Sequence, residues 1–321
     1  MRFATYSDGQ ILGLAASNTD GVFFGRPASD PLYPGDLDGL IEKGSAALRA
    51  AHEVLLGGKA LDLAGMRLPP LLKRPGKIIC VGLNYADHSA ESGFKQPDYP
   101  TLFSRFAVGF VGHNQPMIRP KASIQLDYEG ELVAIIGKGG RHIRKSSALD
   151  HVIGYSIFND GSIRDFQMKT PQWTVGKNFD GTGPFGPIFV TSDELPAGCK
   201  GLKLETRLNG ATVQSAMIDD MVFDVATLVS TISEAMTLEP GDIIVTGTPS
   251  GIGLARKPPL WMKPGDIVEV EIDRIGILRN PIVDEACRLQ KRKAAWKRGL
   301  STSPLVKMKS RRTRCFNAGR C

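Results

Sequence analysis

DYEGELVAIIG, residues 127–137, and VIGYSIFN, residues 152–159, decide how this chain is read. In both, a compact apolar run stands beside glycine, asparagine or acidic residues, which is the pattern of a short strand in a core. IICVGL at 78–83 and DIIVTG at 242–247, the latter ending in a glycine-rich turn, are strands of the same kind. In DIVEVEID, 266–273, Val268, Val270 and Ile272 alternate with Glu269, Glu271 and Asp273, so the strand is half-buried. Asn209-Gly210 strongly favours a type I′ hairpin turn. A helix is predicted over 225–236, where Val225, Leu228, Val229, Ile232 and Met236 form one apolar stripe behind Asp224 as N-cap. Strands outnumber helices and do not alternate with them one for one, which disfavours a parallel doubly wound sheet. The expectation is a strand-rich α+β fold, a mainly antiparallel roll or sandwich.

Outward from these strands, residues 2–24 alternate Ile11, Leu12 and Leu14 with the turn residues Asp8, Gly9, Asn18, Asp20 and Gly21, which predicts a small antiparallel sheet. Leu40, Ile41, Ala47, Leu48, Ala51, Val54 and Leu55 recur at helical spacing, with Gly57 and Gly58 as the stop. Pro69 to Gly76, with three prolines, reads as a join. Three parts are therefore expected: a small N-terminal α/β unit over 1–70, the main domain over 77–285, and a tail over 286–321. No repeat of 20 to 50 residues is present.

The chain has 321 residues, 42% hydrophobic and 23% charged, inside the globular range. Its +7 charge would fit a nucleic-acid binder, but the basic residues are unevenly placed. Twelve Lys and Arg lie in 286–321, leaving 28 against all 33 acidic residues in 1–285, a net charge of −5 there. The tail is read as a solvated basic extension or a foreign piece rather than a nucleic-acid arm. Cys80 and Cys199, the two cysteines before it, form no metal or disulfide spacing, which agrees with a reducing compartment. No apolar stretch reaches 18 residues, and Asp8 interrupts any signal-peptide core, so a cytoplasmic protein without membrane contact is expected.

Five constellations can carry chemistry. Glu129 and Glu131 sit two apart before LVAIIG and share a strand face; paired carboxylates raise the pKa of one or need a cation, and hard oxygen ligands suit Mg²⁺, Mn²⁺ or Ca²⁺. A solvated strand end is the plainer alternative. Asp160, entering a turn after VIGYSIF, can be a third ligand, with Arg164 and Gln167 facing one pocket. His88 and Glu91, three apart after IICVGL, share a helical face, so Glu91 can orient an imidazole that takes a proton from water. Lys177, among apolar residues and glycines, can supply positive charge to an oxyanion or pair with Asp180. TGTPSGIG, 246–253, bares backbone N–H groups able to bind a carboxylate, and it lacks the GK[ST] of a P-loop, which excludes that mode of nucleotide binding.

In this order, KIICVGLNYADHSAES, DYEGEL, NDGSIRDFQ, TVGKNFDGTGPFGP and VTGTPSGIG resemble the fumarylacetoacetate hydrolase family from about Lys77 to Ile282. The resemblance implies a mixed β-sandwich roll of the fumarylacetoacetase C-terminal-domain type, a homodimer, and one Mg²⁺ or Mn²⁺ per subunit on Glu129, Glu131 and Asp160. It implies a water-activating dyad of His88 and Glu91, Lys177 near the substrate oxygens, and Arg164, Gln167, Thr248, Tyr85 and Arg105 as substrate-binding positions. Arg105 stands where many relatives carry lysine, Gly161-Ser162-Ile163 replaces the commoner V-T-A, and Asn178 replaces a usual Ser. The implied reaction is hydrolysis of the C–C bond of an acylpyruvate-like diketo acid, of fumarylpyruvate or maleylpyruvate type, in aromatic-compound catabolism. The same enolate chemistry would serve an isomerase of a hydroxymuconate-type dienoate or an oxaloacetate-type decarboxylase.

Overall fold

A computed structural model describes residues 1–286 apart from Gln10, Ser92 and Phe94; the tail from Cys287 onward lies outside the described residues. Two large sheets carry the fold. One has eleven strands, and through its middle run Gly183–Thr191, Val152–Asn159, Gly130–Ile136, Ile243–Val245 and Ile78–Gly82, in that order. The other has five: Ala211–Met217, Lys203–Leu208, Ile267–Ile272, Gly276–Asp284 and Met117–Arg119. Nearly all pairings are antiparallel, with parallel exceptions such as Ile243–Val245 beside Ile78–Gly82. The strand-rich α+β expectation holds.

Gly130–Ile136 is buried along its whole length because both of its faces are covered. Leu132, Ala134 and Ile136 enter a core shared with the Val225–Ala235 helix, whereas Val133 and Ile135 enter one shared with Leu40, Leu48 and Leu55. That two-sided burial explains why its sequence is a continuous apolar run rather than an alternating one. Leu132→Ala is expected to destabilise the fold by about 3 kcal/mol, a buried-leucine deletion in a site closed by sheet neighbours, read from the urea midpoint at constant slope.

Two expectations change. The single helix over 40–55 is two, Leu37–Lys43 and Ser45–Leu56, because Gly44 adopts φ +83° and breaks the hydrogen-bond ladder between them. The N-terminal residues do not form a separate sheet: Arg2–Asp8 pairs with Gly183–Thr191, so their strands extend the central eleven-stranded sheet. Contacts group Met1–Glu285 into one compact unit. The backbone hydrogen bonds of Arg2–Asp8 are the physical reason, since an edge strand there needs a partner. No helix among the described residues is long and apolar enough to cross a membrane.

Candidate metal centre and proton-transfer pair

The sheet brings four strand ends together. Gly130 pairs with Asn159 and Glu131 with Phe158, so Glu129 and Asp160 lie side by side at the end of that pair, joined by the Asp160 N–H to the Glu129 carbonyl at 2.8 Å. Val245 pairs with Val133 on one side and Cys80 on the other, which places the 246–254 loop and the segment after Gly82 at the same end. The Ala86–Glu91 helix follows that segment and carries His88 and Glu91.

The cleft at this end is lined on its polar side by Glu129, Glu131, Arg164, Gln167, Lys177, Thr248 and His88. Phe103, Met168, Trp173, Ile252 and Leu254 make its apolar wall. Glu129, Glu131 and Asp160 are buried, and each offers an oxygen within 4.8 Å of the others. Lys177 Nζ lies 2.5 Å from Glu129 and 2.7 Å from Asp160, and Arg164 lies 2.6 Å from the other Glu129 oxygen. Burial pushes the Glu129 carboxyl up, but Arg164 and Lys177 outweigh it and hold the group down at about 2. Glu131 goes the other way: burial, then Asp160 and Glu129, push it well above the carboxylate range. A buried carboxylate so disfavoured as an anion is a fit for a cation, and three hard oxygens, two from one backbone segment and one from its neighbour, match the preference of Mg²⁺ or Mn²⁺. The residues present therefore fit a divalent metal.

His88 Nδ1 is 3.1 Å from Glu91, as the i, i+3 spacing predicted. The 246–254 loop binds carboxylates, as its glycines led us to expect. Its N–H groups hold the protein's own carboxylates rather than standing open for a substrate: Gly247 donates to Glu131 at 2.5 Å, Gly251 to both Glu91 oxygens at 2.9 Å, and Gly253 and Leu254 to Asp127 at 2.8 and 2.9 Å. Gly251 has φ +102°, and a Cβ there would meet the Val213 carbonyl at 2.1 Å, so only glycine presents this amide.

Two positions expected beside the substrate do not line the cleft. Arg105 is fully buried behind Asp160, which it contacts directly, and it also donates to the Gly161 carbonyl and Thr182 Oγ1 at 3.0 Å each. Tyr85 is buried in the core with Ile79 and Val81, tied to Met221 by a backbone bridge. Thr248 does line the cleft, but its hydroxyl is engaged, donating to the Gly130 carbonyl at 3.0 Å and accepting from Gln214 at 2.8 Å. Gln214 also accepts from the Gly130 N–H at 3.0 Å, so it clamps the segment between the two glutamates. Sequence reasoning missed Gln214, which sits outside every motif.

Glu129 and Glu131 of a buried carboxylate triad share a cleft with His88, which is paired to Glu91; these groups are able to hold a metal ion and to move a proton. The family model of the fumarylacetoacetate (FAA) hydrolase C-terminal domain matches residues 77–283, and the chain belongs to the fumarylacetoacetate hydrolase family. Its members are enzymes. The chain is 39% identical over 278 residues to human mitochondrial oxaloacetate tautomerase FAHD2A, covering 86% of this chain and 88% of that protein. Its fold matches fumarylacetoacetate hydrolase from psychrophilic Exiguobacterium antarcticum with TM-score 0.74 and 34% identity, over 89% of this chain and all of the other. It also matches fumarylpyruvate hydrolase from Pseudomonas aeruginosa, solved with Mn²⁺ and pyruvate, with TM-score 0.60 and 33% identity, over 65% of this chain and 90% of that one.

Proposed function

We propose that this protein is a divalent-metal-dependent enzyme that interconverts the keto and enol forms of a small 2-oxo acid, with oxaloacetate or a near analogue as substrate. The observation that carries the reading is that His88, paired with Glu91, lines the same cleft as Glu129 and Glu131. A cation on Glu129, Glu131 and Asp160, with Mg²⁺ or Mn²⁺ as the candidates, would supply a Lewis acid that draws charge from the substrate's 2-oxo group. Glu91, fixed by the Gly251 N–H, takes the His88 Nδ1 side, which leaves Nε2 for the substrate. Nε2 removes a proton from C3, and the electron pair moves through C2 to the 2-oxo oxygen. Delivery of the same proton to that oxygen completes the enol and restores the imidazole. Lys177 is a poor base: burial pushes its pKa down, but Asp160 and Glu129 outweigh it and keep the group protonated above its usual value. It serves as positive charge beside the developing enolate. The extent of the likeness to the human tautomerase supports this reading.

Hydrolysis of an acylpyruvate uses the same groups, with His88 drawing the proton from water, and the likeness to fumarylpyruvate hydrolase favours it as a second reading. The test is to supply Mn²⁺ with oxaloacetate or with an acylpyruvate, and to follow enol absorbance and product mass. Faster keto–enol exchange of oxaloacetate with no change in mass, and no pyruvate formed, is expected. Release of pyruvate and a carboxylic acid from the acylpyruvate, without tautomerisation of oxaloacetate, would replace the first reading by the second. Pyruvate and CO₂ from oxaloacetate would replace both by decarboxylation.

A further inference from the structure

Asp127 opens the carboxylate motif, yet it does not line the cleft. Its side chain is fully buried. Oδ1 accepts the N–H groups of Tyr128 and Gly253 at 2.8 Å each, and Oδ2 accepts Leu254 N–H at 2.9 Å and Arg164 Nε at 2.8 Å. Four donors fill the capacity of a carboxylate. Three of them are backbone groups, so Asp127 cannot shift without moving the chain.

Arg164 is thus divided between two anions. Nε is taken by Asp127, one terminal nitrogen donates to Gln167 Oε1 at 2.9 Å, and the other lies 2.6 Å from Glu129. A guanidinium beside a carboxylate of a metal centre competes with the metal for the same oxygen and adds like charge to its surroundings. Asp127 opposes both effects, cancelling the charge and fixing the planar fork at its Nε edge.

We propose that Asp127 is a positioning residue that sets the divalent-cation affinity of the Glu129, Glu131 and Asp160 centre by limiting Arg164's hold on Glu129. The inference rests on the metal centre of the proposed function, but not on its reaction. Without Asp127, the guanidinium leans wholly on Glu129 and the local charge rises by one, and both changes weaken cation binding. Without Arg164, the competitor is gone and only the charge of Asp127 still acts on the cation.

The experiment is titration calorimetry with Mn²⁺ alone on the unsubstituted protein, Asp127→Asn, Arg164→Gln and the double variant, with unfolding midpoints for each. D127N is expected to bind Mn²⁺ at least about tenfold more weakly, a difference of about 1.4 kcal/mol. R164Q is expected to bind it several-fold more tightly than the unsubstituted protein. On the R164Q background, where only the change of charge remains, D127N is expected to weaken binding by no more than about threefold. A merely structural Asp127 would lower affinity equally on both backgrounds, and that result overturns the proposal, as does a D127N affinity within twofold of the unsubstituted protein. Removing both partners strands neither charge, so the double variant stays available if D127N alone does not fold. In that case, tighter binding by R164Q, matched within about threefold by the double variant, supports the proposal; weaker binding by R164Q, or a larger loss in the double, overturns it. No Mn²⁺ binding by the unsubstituted protein would overturn the metal reading and this proposal together, whereas binding indifferent to Asp127 overturns this proposal alone.

Discussion

Glu131→Gln is expected to make the protein more stable in a chelator while it removes metal binding and lowers kcat/KM by about a thousandfold. Burial, Asp160 and Glu129 raise the folded-state pKa of Glu131, so its ionised form weakens the fold at neutral pH and is relieved as the pH falls through that raised value. Glutamine keeps the shape and an acceptor for the Gly247 N–H without the charge. In EDTA at pH 7, the unfolding midpoint of E131Q should therefore exceed that of the unsubstituted protein, and the gap should close on acidification. Glu129 has the opposite sign. Its folded pKa of about 2 gives stability that is present above the ordinary glutamate value and lost as the pH falls through about 2. Mn²⁺ at a hundred times its dissociation constant would stabilise the unsubstituted protein by about 2.7 kcal/mol, and E131Q hardly at all. The loss in rate corresponds to about 4 kcal/mol of transition-state stabilisation. Thermal scans with EDTA and with Mn²⁺, beside steady-state kinetics, check all of this; an undiminished Mn²⁺ shift in E131Q would remove Glu131 from the metal centre.

The sequence carried the strands because burial on both faces makes LVAIIG and VIGYSIFN continuous apolar runs, and it carried the helix at Val225 because Asp224 caps it and accepts the Thr227 N–H. It carried the glutamate pair and the dyad for a local reason: Glu129 with Glu131, and His88 with Glu91, are fixed by strand and helix periodicity within a few residues, whereas Asp160 reaches Glu129 through strand pairing. What it could not carry depends on long-range register. The pairing of Arg2–Asp8 with Gly183–Thr191 joins segments about 180 residues apart, and no local pattern marks an edge that continues another sheet. The 246–254 loop shows the same limit. Its glycines announced amides free to hold a carboxylate, which was right, but whose carboxylate was a matter of tertiary structure: Glu131, Glu91 and Asp127 arrive from elsewhere and occupy them. Arg105 was read by motif position as facing the substrate, whereas its position at the end of the sheet turns it onto Asp160 from behind.

His88→Asn is expected to lower kcat by about a thousandfold, within the range for loss of a positioned general base, while Mn²⁺ affinity changes by less than about threefold. The separation follows from the geometry, because His88 is held by Glu91, and Glu91 by the amide of Gly251, whereas the triad is held by Gly247, Lys177, Arg105 and Arg164. Glu91→Gln should fall between, losing about ten- to a hundredfold, since an amide oxygen can still accept from Gly251 but cannot stabilise an imidazolium. Measured on oxaloacetate and on an acylpyruvate in parallel, H88N also tests the mechanism. Proton abstraction from C3 and from water both need Nε2, so both activities should collapse together. If hydrolysis failed while tautomerisation persisted, the base for C3 would have to be another group. Lys177, held protonated by Asp160 and Glu129, is badly placed to be that group, and the one-base scheme would fall.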